Sequence, residues 1–133
     1  MVKRKMRIGQ LAETCKCSPE TIRYYEKIGL LPPAIRQHNG YRDYESSHQK
    51  WLGFILRSKA LGFNQNEVRR LTDLANAPSS TCQDVHELIL DHIRDVRARL
   101  EELKKMEASL LRLEEKCIDE TLHECPVIDE LMS

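Results

Sequence analysis

The chain has 133 residues with 21 basic and 21 acidic side chains and a formal net charge of zero, a size that fits one or two small domains. No stretch approaches the roughly 18 apolar residues of a membrane-spanning helix. The first five residues lack the apolar run that follows the charged start of a signal peptide. We therefore expect a cytoplasmic protein that does not contact a membrane.

The even balance of charge hides a division between the two halves. Residues 1–75 carry 14 Lys/Arg against 7 Asp/Glu, and residues 76–133 carry 7 against 14. This asymmetry predicts that the first half meets a polyanion and that the second does not. Five cysteines in a cytosolic chain point to metal or reactive-thiol chemistry rather than to structural disulfides.

Two short helices joined by a tight turn are predicted near the start. Ile8, Leu11 and Ala12 share one face of the first helix. The tripeptide Ser18-Pro19-Glu20 supplies an N-cap, a proline at the first helical position and an acidic first turn. Gly29 ends the second helix. This arrangement is typical of a helix-turn-helix.

The polar face of the second helix carries Thr21, Arg23, Tyr24 and Lys27. These side chains suit phosphates and base edges, and an arginine can make a bidentate contact with guanine. We expect this helix to be the recognition element of a DNA-binding domain.

A hairpin is predicted at Asn39-Gly40, because this dipeptide favours a type I′ turn, in which both residues have positive φ. Arg36 and Arg42 flank the turn and Tyr41 follows it. Next to a helix-turn-helix, such a hairpin is interpreted as a wing that lies along a phosphate backbone, although taken alone it would equally suit an ordinary surface hairpin.

Two more helices follow the hairpin. The pattern predicts a third helix over residues 46–61 with Trp51 in the core, and a fourth helix capped by Asn64 or Asn66. Residues 77–80 form a hinge rich in proline and serine. A long helix then runs without Gly or Pro from Cys82 to Lys116.

Apolar residues recur in the long helix at steps of three or four, which predicts a coiled-coil seam. The seam consists of Ile93, Val96, Leu100, Leu103, Met106, Leu110 and Leu113. The helix is roughly 50 Å long, too long to bury its seam on the preceding residues, so we expect a homodimer. Antiparallel pairing would bring Cys82 of one chain beside Cys117 and Cys125 of the other.

Four linked motifs together are highly specific. They are Ile8-Gly9-Gln10-Leu11-Ala12, Thr21-Ile22-Arg23-Tyr24-Tyr25-Glu26 with Gly29-Leu30-Leu31, Asn39-Gly40-Tyr41-Arg42 with Tyr44, and Leu61-Gly62-Phe63. With them the chain resembles the MerR family of bacterial transcription regulators over nearly its whole length. The resemblance implies a mainly all-α fold with a winged helix-turn-helix DNA-binding domain (6–75), an antiparallel coiled-coil dimerisation helix (81–117) and a C-terminal metal-binding loop and tail (117–133).

The resemblance also implies a function. A homodimer of this family binds a palindromic promoter and, with its effector bound, distorts the DNA so that RNA polymerase can use promoter elements spaced too far apart. On that analogy the recognition helix contacts DNA through Arg23 and Tyr24. The wing contacts it through Arg36, Asn39, Gly40, Tyr41 and Arg42.

The segment from Cys117 to Cys125 looks like the metal-binding loop of the metal-responsive members, and nothing large follows it, so we expect no drug-binding domain. Cys82 matches the third thiolate of the branches that answer to divalent ions, where the copper(I)-responsive members have a serine. The surrounding sequence is most similar to the zinc, cadmium and lead group.

Three converging thiolates suit Zn, Cd, Pb or Hg, whereas two suit Cu(I). His123 is a possible fourth ligand or a solvated loop histidine, and His86 and His92 could supply nitrogen that favours Zn or Ni. Cys15 and Cys17 lie in the predicted turn of the helix-turn-helix and are interpreted as partly buried small residues, not as a metal site.

Other functions remain open at this point. Cys117 and Cys125 could oxidise in a thiol redox or electrophile sensor of the same fold, although the acidic residues near Cys125 disfavour a reactive thiolate. A sensor for Ni or Cu(I) is a further alternative. A metallothionein-like buffer or a thiol oxidoreductase would leave the basic winged domain unexplained. No nucleophile–base pair or phosphate loop is present, so we expect no enzyme.

Overall fold

The computed structural model describes residues 5–37, 40–116 and 125–133, and the chain divides into two compact units, Met1–Leu88 and Ile89–Ser133. The elements in chain order are α1 (Ile8–Cys15), α2 (Pro19–Lys27), β1 (Ile35–Arg36), β2 (Arg42–Asp43), α3 (Ser46–Ala60), α4 (Gln65–Asn76), α5 (Cys82–Glu115) and α6 (Pro126–Met132). The predicted mainly helical fold is confirmed. Among the described residues, no helix combines the length and apolarity that a membrane crossing requires.

The helix-turn-helix forms as predicted from its capping residues. Ser18 Oγ accepts a hydrogen bond from the backbone N–H of Thr21 at 3.2 Å, and Pro19 occupies the first position of α2. After α2 the chain turns at Gly29, whose φ of +78° lies in the region that favours glycine. The end of α1 is less regular, because Lys16 is a non-glycine residue with a φ of +60°.

The core of the first unit lies among α1, α2, α3 and α4. Its largest fully buried side chains are Leu11, Ile22, Leu31, Tyr44, Leu52, Ile55 and Val68. The Asn64 cap is confirmed, since Asn64 Oδ1 accepts from Glu67 N–H at 2.8 Å and Glu67 Oε1 accepts from Asn64 N–H at 3.0 Å. Trp51, predicted to be core, is only half-buried and contacts the ring of Phe54.

The wing is an antiparallel hairpin in which Ile35 pairs with Asp43 and Arg36 with Arg42. Gln37 N–H donates to the carbonyl of Tyr41 at 2.9 Å, so three residues separate these partners and not two. This pairing does not fit a two-residue turn at Asn39-Gly40. Gly40 has the predicted positive φ, at +82°, and Asn39 lies outside the described residues.

The segment before α1 joins the wing. Met6 and Tyr44 exchange two backbone hydrogen bonds of 2.7 Å. The guanidinium of Arg7 lies 4.4 Å from the centre of the Tyr41 ring and 3.9 Å from a carboxylate oxygen of Asp43. These contacts attach the segment before α1 to the second strand of the wing and to its neighbouring residues.

His48 is a buried polar residue that the sequence did not single out. Its Nδ1 accepts from the backbone N–H of Glu45 at 2.9 Å, and its Nε2 lies 3.0 Å from the carbonyl of Pro33. Because one nitrogen must accept, the neutral ring donates from Nε2 to Pro33. The ring also packs edge-on against Tyr44. His48 thus connects the start of α3 to the loop that leads into the wing.

His48→Phe should lower the free energy of unfolding by about 1–3 kcal/mol, because it removes two part-buried hydrogen bonds, to the N–H of Glu45 and to the carbonyl of Pro33, at about 0.5–1.5 kcal/mol each. Urea unfolding at a fixed protein concentration measures this loss. Lys50→Phe, at an exposed position of the same helix, is the control and should stay within about 0.5 kcal/mol of the wild type. Equal stability of the two variants would contradict the linking role of His48.

The second unit contains most of α5 and the short helix α6. Lys116 Nζ lies 2.7 Å from Glu130 Oε2, and this ion pair holds α6 beside the end of α5. The sequence predicted a loop and tail here and missed α6. In the single chain the predicted seam is open to solvent, with Leu100 50% exposed, Leu103 58% and Leu110 65%.

Candidate nucleic-acid interface and metal-binding cysteines

The polar face of α2, which was predicted to contact DNA, projects into solvent. The side chain of Arg23 is 54% exposed and only loosely paired with Glu20, at 3.9 Å. Thr21 Oγ1 shares a 2.9 Å hydrogen bond with Ser18 Oγ at the start of the helix. The Arg23 side chain is therefore accessible to a nucleic-acid partner, whereas the Thr21 hydroxyl is hydrogen-bonded to the N-cap residue of its own helix.

Two contacts from α4 hold α2 in place. Tyr24, half exposed on the polar face of α2, donates a hydrogen bond from its hydroxyl to Gln65 Oε1 at 3.2 Å. Arg69 Nη2 donates to the carbonyl of Ile28 at 2.6 Å, at the C-terminal end of α2, where a cation is also favoured by the helix dipole. Neither Gln65 nor Arg69 was predicted from the sequence, because each lies 41 residues from its partner.

A basic cleft of about 360 Å³ separates α2 from the wing. Its charged lining consists of Arg23, Lys27, Arg36, Arg42 and Glu26. Three of these cations were predicted to bind DNA, and the structure brings them together with Lys27.

Gly40 and Tyr41 lie at the far end of the hairpin, and Tyr41 is 60% exposed, with the guanidinium of Arg7 over its ring. Asn39 lies outside the described residues.

Glu26 is the acidic exception in this cleft. Its side chain is only 10% exposed. Its Oε1 accepts from the backbone N–H of Ala34 at 3.0 Å, and its Oε2 lies 3.5 Å from Arg42 Nη1. Burial, and next the negative charge of Glu26, raises the pKa of Tyr44 to about 12. The carboxylate therefore connects α2 with both sides of the hairpin.

Two cysteines of the predicted metal site, Cys82 and Cys125, lie among the described residues. Cys82 is the first residue of α5 and is exposed, and His86 is exposed one turn later. Cys125 is half-buried and is the N-cap residue of α6. Cys117 and His123 lie outside the described residues.

Cys15 and Cys17 are both half-buried free thiols, as the sequence analysis expected. Burial raises the pKa of the Cys15 thiol, although the nearby Arg57 opposes that shift. Burial also raises the pKa of the Cys17 thiol, with a further contribution from Cys15. A raised pKa keeps both thiols protonated at neutral pH, and only the thiolate is a good nucleophile or metal ligand.

Residues 7–44, which contain the helix-turn-helix and the wing, match the family model described as MerR family regulatory protein. Residues 49–113, which contain most of α3, all of α4 and nearly all of α5, match the model described as MerR, DNA binding. The chain belongs to the MerR family. The resemblance on which the sequence analysis relied is thereby confirmed.

MerR-family relatives match the chain over almost its full length. The mercuric resistance operon regulatory protein of Bacillus cereus is 39% identical, over 96% of this chain and 98% of its own. The crystal structure of PbrR691 from Ralstonia metallidurans CH34 with lead(II) is 36% identical, with a TM-score of 0.82 and coverage of 95% and 98%. That of MerR from Bacillus megaterium MB1 with mercury(II) is 35% identical, with a TM-score of 0.72 and coverage of 96% and 100%.

Proposed function

We propose that this MerR-family protein is a metal-responsive transcription regulator. It binds promoter DNA as a homodimer and activates transcription by distorting the promoter when a divalent metal is bound. The observation that carries this proposal is that Cys82 begins one long helix, whereas Cys125 caps the short helix that the Lys116–Glu130 ion pair joins to the other end of that helix. Such a protein acts where the DNA is, in the cytoplasm, with RNA polymerase as its functional partner.

The basic cleft supports DNA as the first partner. Arg36 and Arg42 stand directly opposite each other in the hairpin, and like charges in that position destabilise a strand pair. A phosphate backbone along the wing would offset this repulsion. Arg23 and Tyr24 on α2 are then the side chains available to base edges in the major groove.

Arg42→Ala should weaken binding to every duplex and lower the slope of log affinity against log salt by about one for each wing that loses its phosphate contact. The measurement is a salt titration with a duplex selected by the protein from a random pool and with a scrambled duplex. Arg94→Ala removes the same charge from the exposed surface of α5 and should change neither affinity nor slope. An unchanged slope for Arg42→Ala would show that the wing does not contact the DNA backbone through this residue.

A metal site that contains Cys82, Cys117 and Cys125 would have to draw on two chains. A helix of 34 residues is about 50 Å long. The chain from Glu115 to Cys125 can extend by at most about 35 Å. Cys82 therefore cannot share an ion with Cys117 or Cys125 of its own chain, but an antiparallel partner would supply them. His123 would be an additional ligand if the ion takes four.

Thiolates favour soft and borderline ions, so we expect Zn, Cd or Pb as the effector. Hg is the second candidate, because a relative named for mercuric resistance and a structure with mercury(II) are among the most similar proteins. The test is an affinity series of the reduced dimer for these four ions and Cu(I), combined with transcription in vitro. Tightest binding of Cu(I), or no metal-dependent transcription, would contradict the proposal.

We infer a route by which metal binding would affect the contact with DNA. α4 holds α2 through Gln65 and Arg69 and leads through residues 77–81 to Cys82 at the start of α5. A bound ion would attach this start to the partner's C-terminal segment. Metal binding would thus favour one of two dimer arrangements and transmit the difference to the recognition helices.

A further inference from the structure

We propose that Glu26 is a positioning residue for DNA binding, which acts by holding Arg42 in the orientation that meets the phosphate backbone. The inference rests on the DNA-binding function proposed above. The negatively charged Glu26 would thus favour binding to a polyanion, although its charge alone would repel one.

The burial of Glu26 is the first argument. Its side chain is 10% exposed, whereas the two other partners of this charge cluster, Arg42 and Arg23, are 44% and 54% exposed. A carboxylate this deep is costly unless its oxygens are paired. The N–H of Ala34 donates a hydrogen bond of 3.0 Å to one oxygen, and the guanidinium of Arg42 lies 3.5 Å from the other.

The second argument is the position of these two partners. Ala34 immediately precedes β1 and Arg42 begins β2, so one side chain of α2 contacts both strands' ends. The pairing fixes the wing relative to the recognition helix at the place where the cleft lies. It also limits the rotamers of Arg42, a long side chain that would otherwise lose conformational freedom when it binds DNA.

The expected balance of effects follows from these contacts. Removing the charge of Glu26 makes the cleft more positive, which by itself strengthens binding to DNA. Losing the hold on Arg42 weakens binding, because the arginine must then be ordered by the DNA in each of two wings. We expect the second effect to win, by about tenfold for the dimer.

The test compares Glu26→Gln with Glu20→Gln in binding to the selected and scrambled duplexes. Glutamine at position 26 keeps an oxygen for Ala34 but presents an N–H₂ group to Arg42. Glu20 lies on the same helix, is 78% exposed and pairs only loosely with Arg23, so its replacement removes the same charge without a buried contact. Glu26→Gln should weaken binding about tenfold, and Glu20→Gln should strengthen it.

A double variant shows whether Glu26 acts through Arg42. In an Arg42→Ala background, Glu26→Gln should no longer weaken binding and should strengthen it as Glu20→Gln does, since only the charge effect remains. Thermal unfolding checks that each variant is folded. A merely structural role would predict the same loss with and without Arg42.

Two results would overturn the assignment: a Glu26→Gln protein that binds DNA more tightly, as Glu20→Gln does, or a loss that persists in the Arg42→Ala background. Failure of the underlying DNA-binding proposal looks different. In that case neither Arg42→Ala nor Glu20→Gln would change the affinity for either duplex.

Discussion

Leu103→Asp should convert the protein from a dimer into monomers at micromolar concentration. Leu103 lies in the middle of the apolar seam and is 58% exposed in the single chain, so only a partner can bury it. Symmetry places two carboxylates in the dimer interface, at roughly 2 kcal/mol each. The total of about 4 kcal/mol corresponds to a dimer dissociation constant about a thousandfold higher.

Sedimentation of the variant over a range of concentrations measures this change. Ala98→Asp is the matched control, because Ala98 is an exposed residue of α5 outside the seam. It introduces the same charge on the same helix and should leave the dimer intact. A Leu103→Asp protein that sediments as a dimer, or an Ala98→Asp protein that dissociates, would refute the seam.

Cys82→Ser should lower the affinity of the reduced dimer for Pb(II) and Cd(II) by more than about 100-fold, since changes outside the ligand set already cost 10–100-fold. The affinity of the metal-free protein for DNA should not change, because Cys82 lies outside the basic cleft. The remaining two thiolates could still bind Cu(I). Competition with a chromophoric chelator gives the metal affinities.

Cys15→Ser is the control for this substitution. The Cys15 thiol is kept protonated by burial, so its loss should leave the affinity for both metals unchanged. The opposite pattern would contradict the proposed ligand set. If Cys82→Ser kept its metal affinity and Cys15→Ser lost it, the metal site would lie in the helix-turn-helix.

The features predicted correctly from sequence depend on neighbouring residues. Ser18 caps α2 and Asn64 caps α4 because the bonded group lies three residues away. The long helix was readable from its period and its lack of Gly and Pro. Local chemistry also grouped Arg23, Arg36 and Arg42, and the structure brings these three side chains to one cleft.

The features that were missed depend on distant residues or on register. The tie between Tyr24 and Gln65 spans 41 residues, and His48 reaches back 15 residues to Pro33. No periodic pattern records such contacts. The hairpin was predicted, but its loop length depends on which residues pair, and Asn39-Gly40 fits loops of two or three residues.

The central claim is that each metal site is shared between two chains, and mixed dimers test it most directly. Chains with Cys82→Ser are combined with chains carrying Cys117→Ser and Cys125→Ser, and the heterodimer is purified through two different affinity tags. One complete set of three thiolates then exists only if the site crosses the dimer. The account predicts one tightly bound Pb(II) ion per heterodimer and none in either parent homodimer. A heterodimer without a tight site would contradict it.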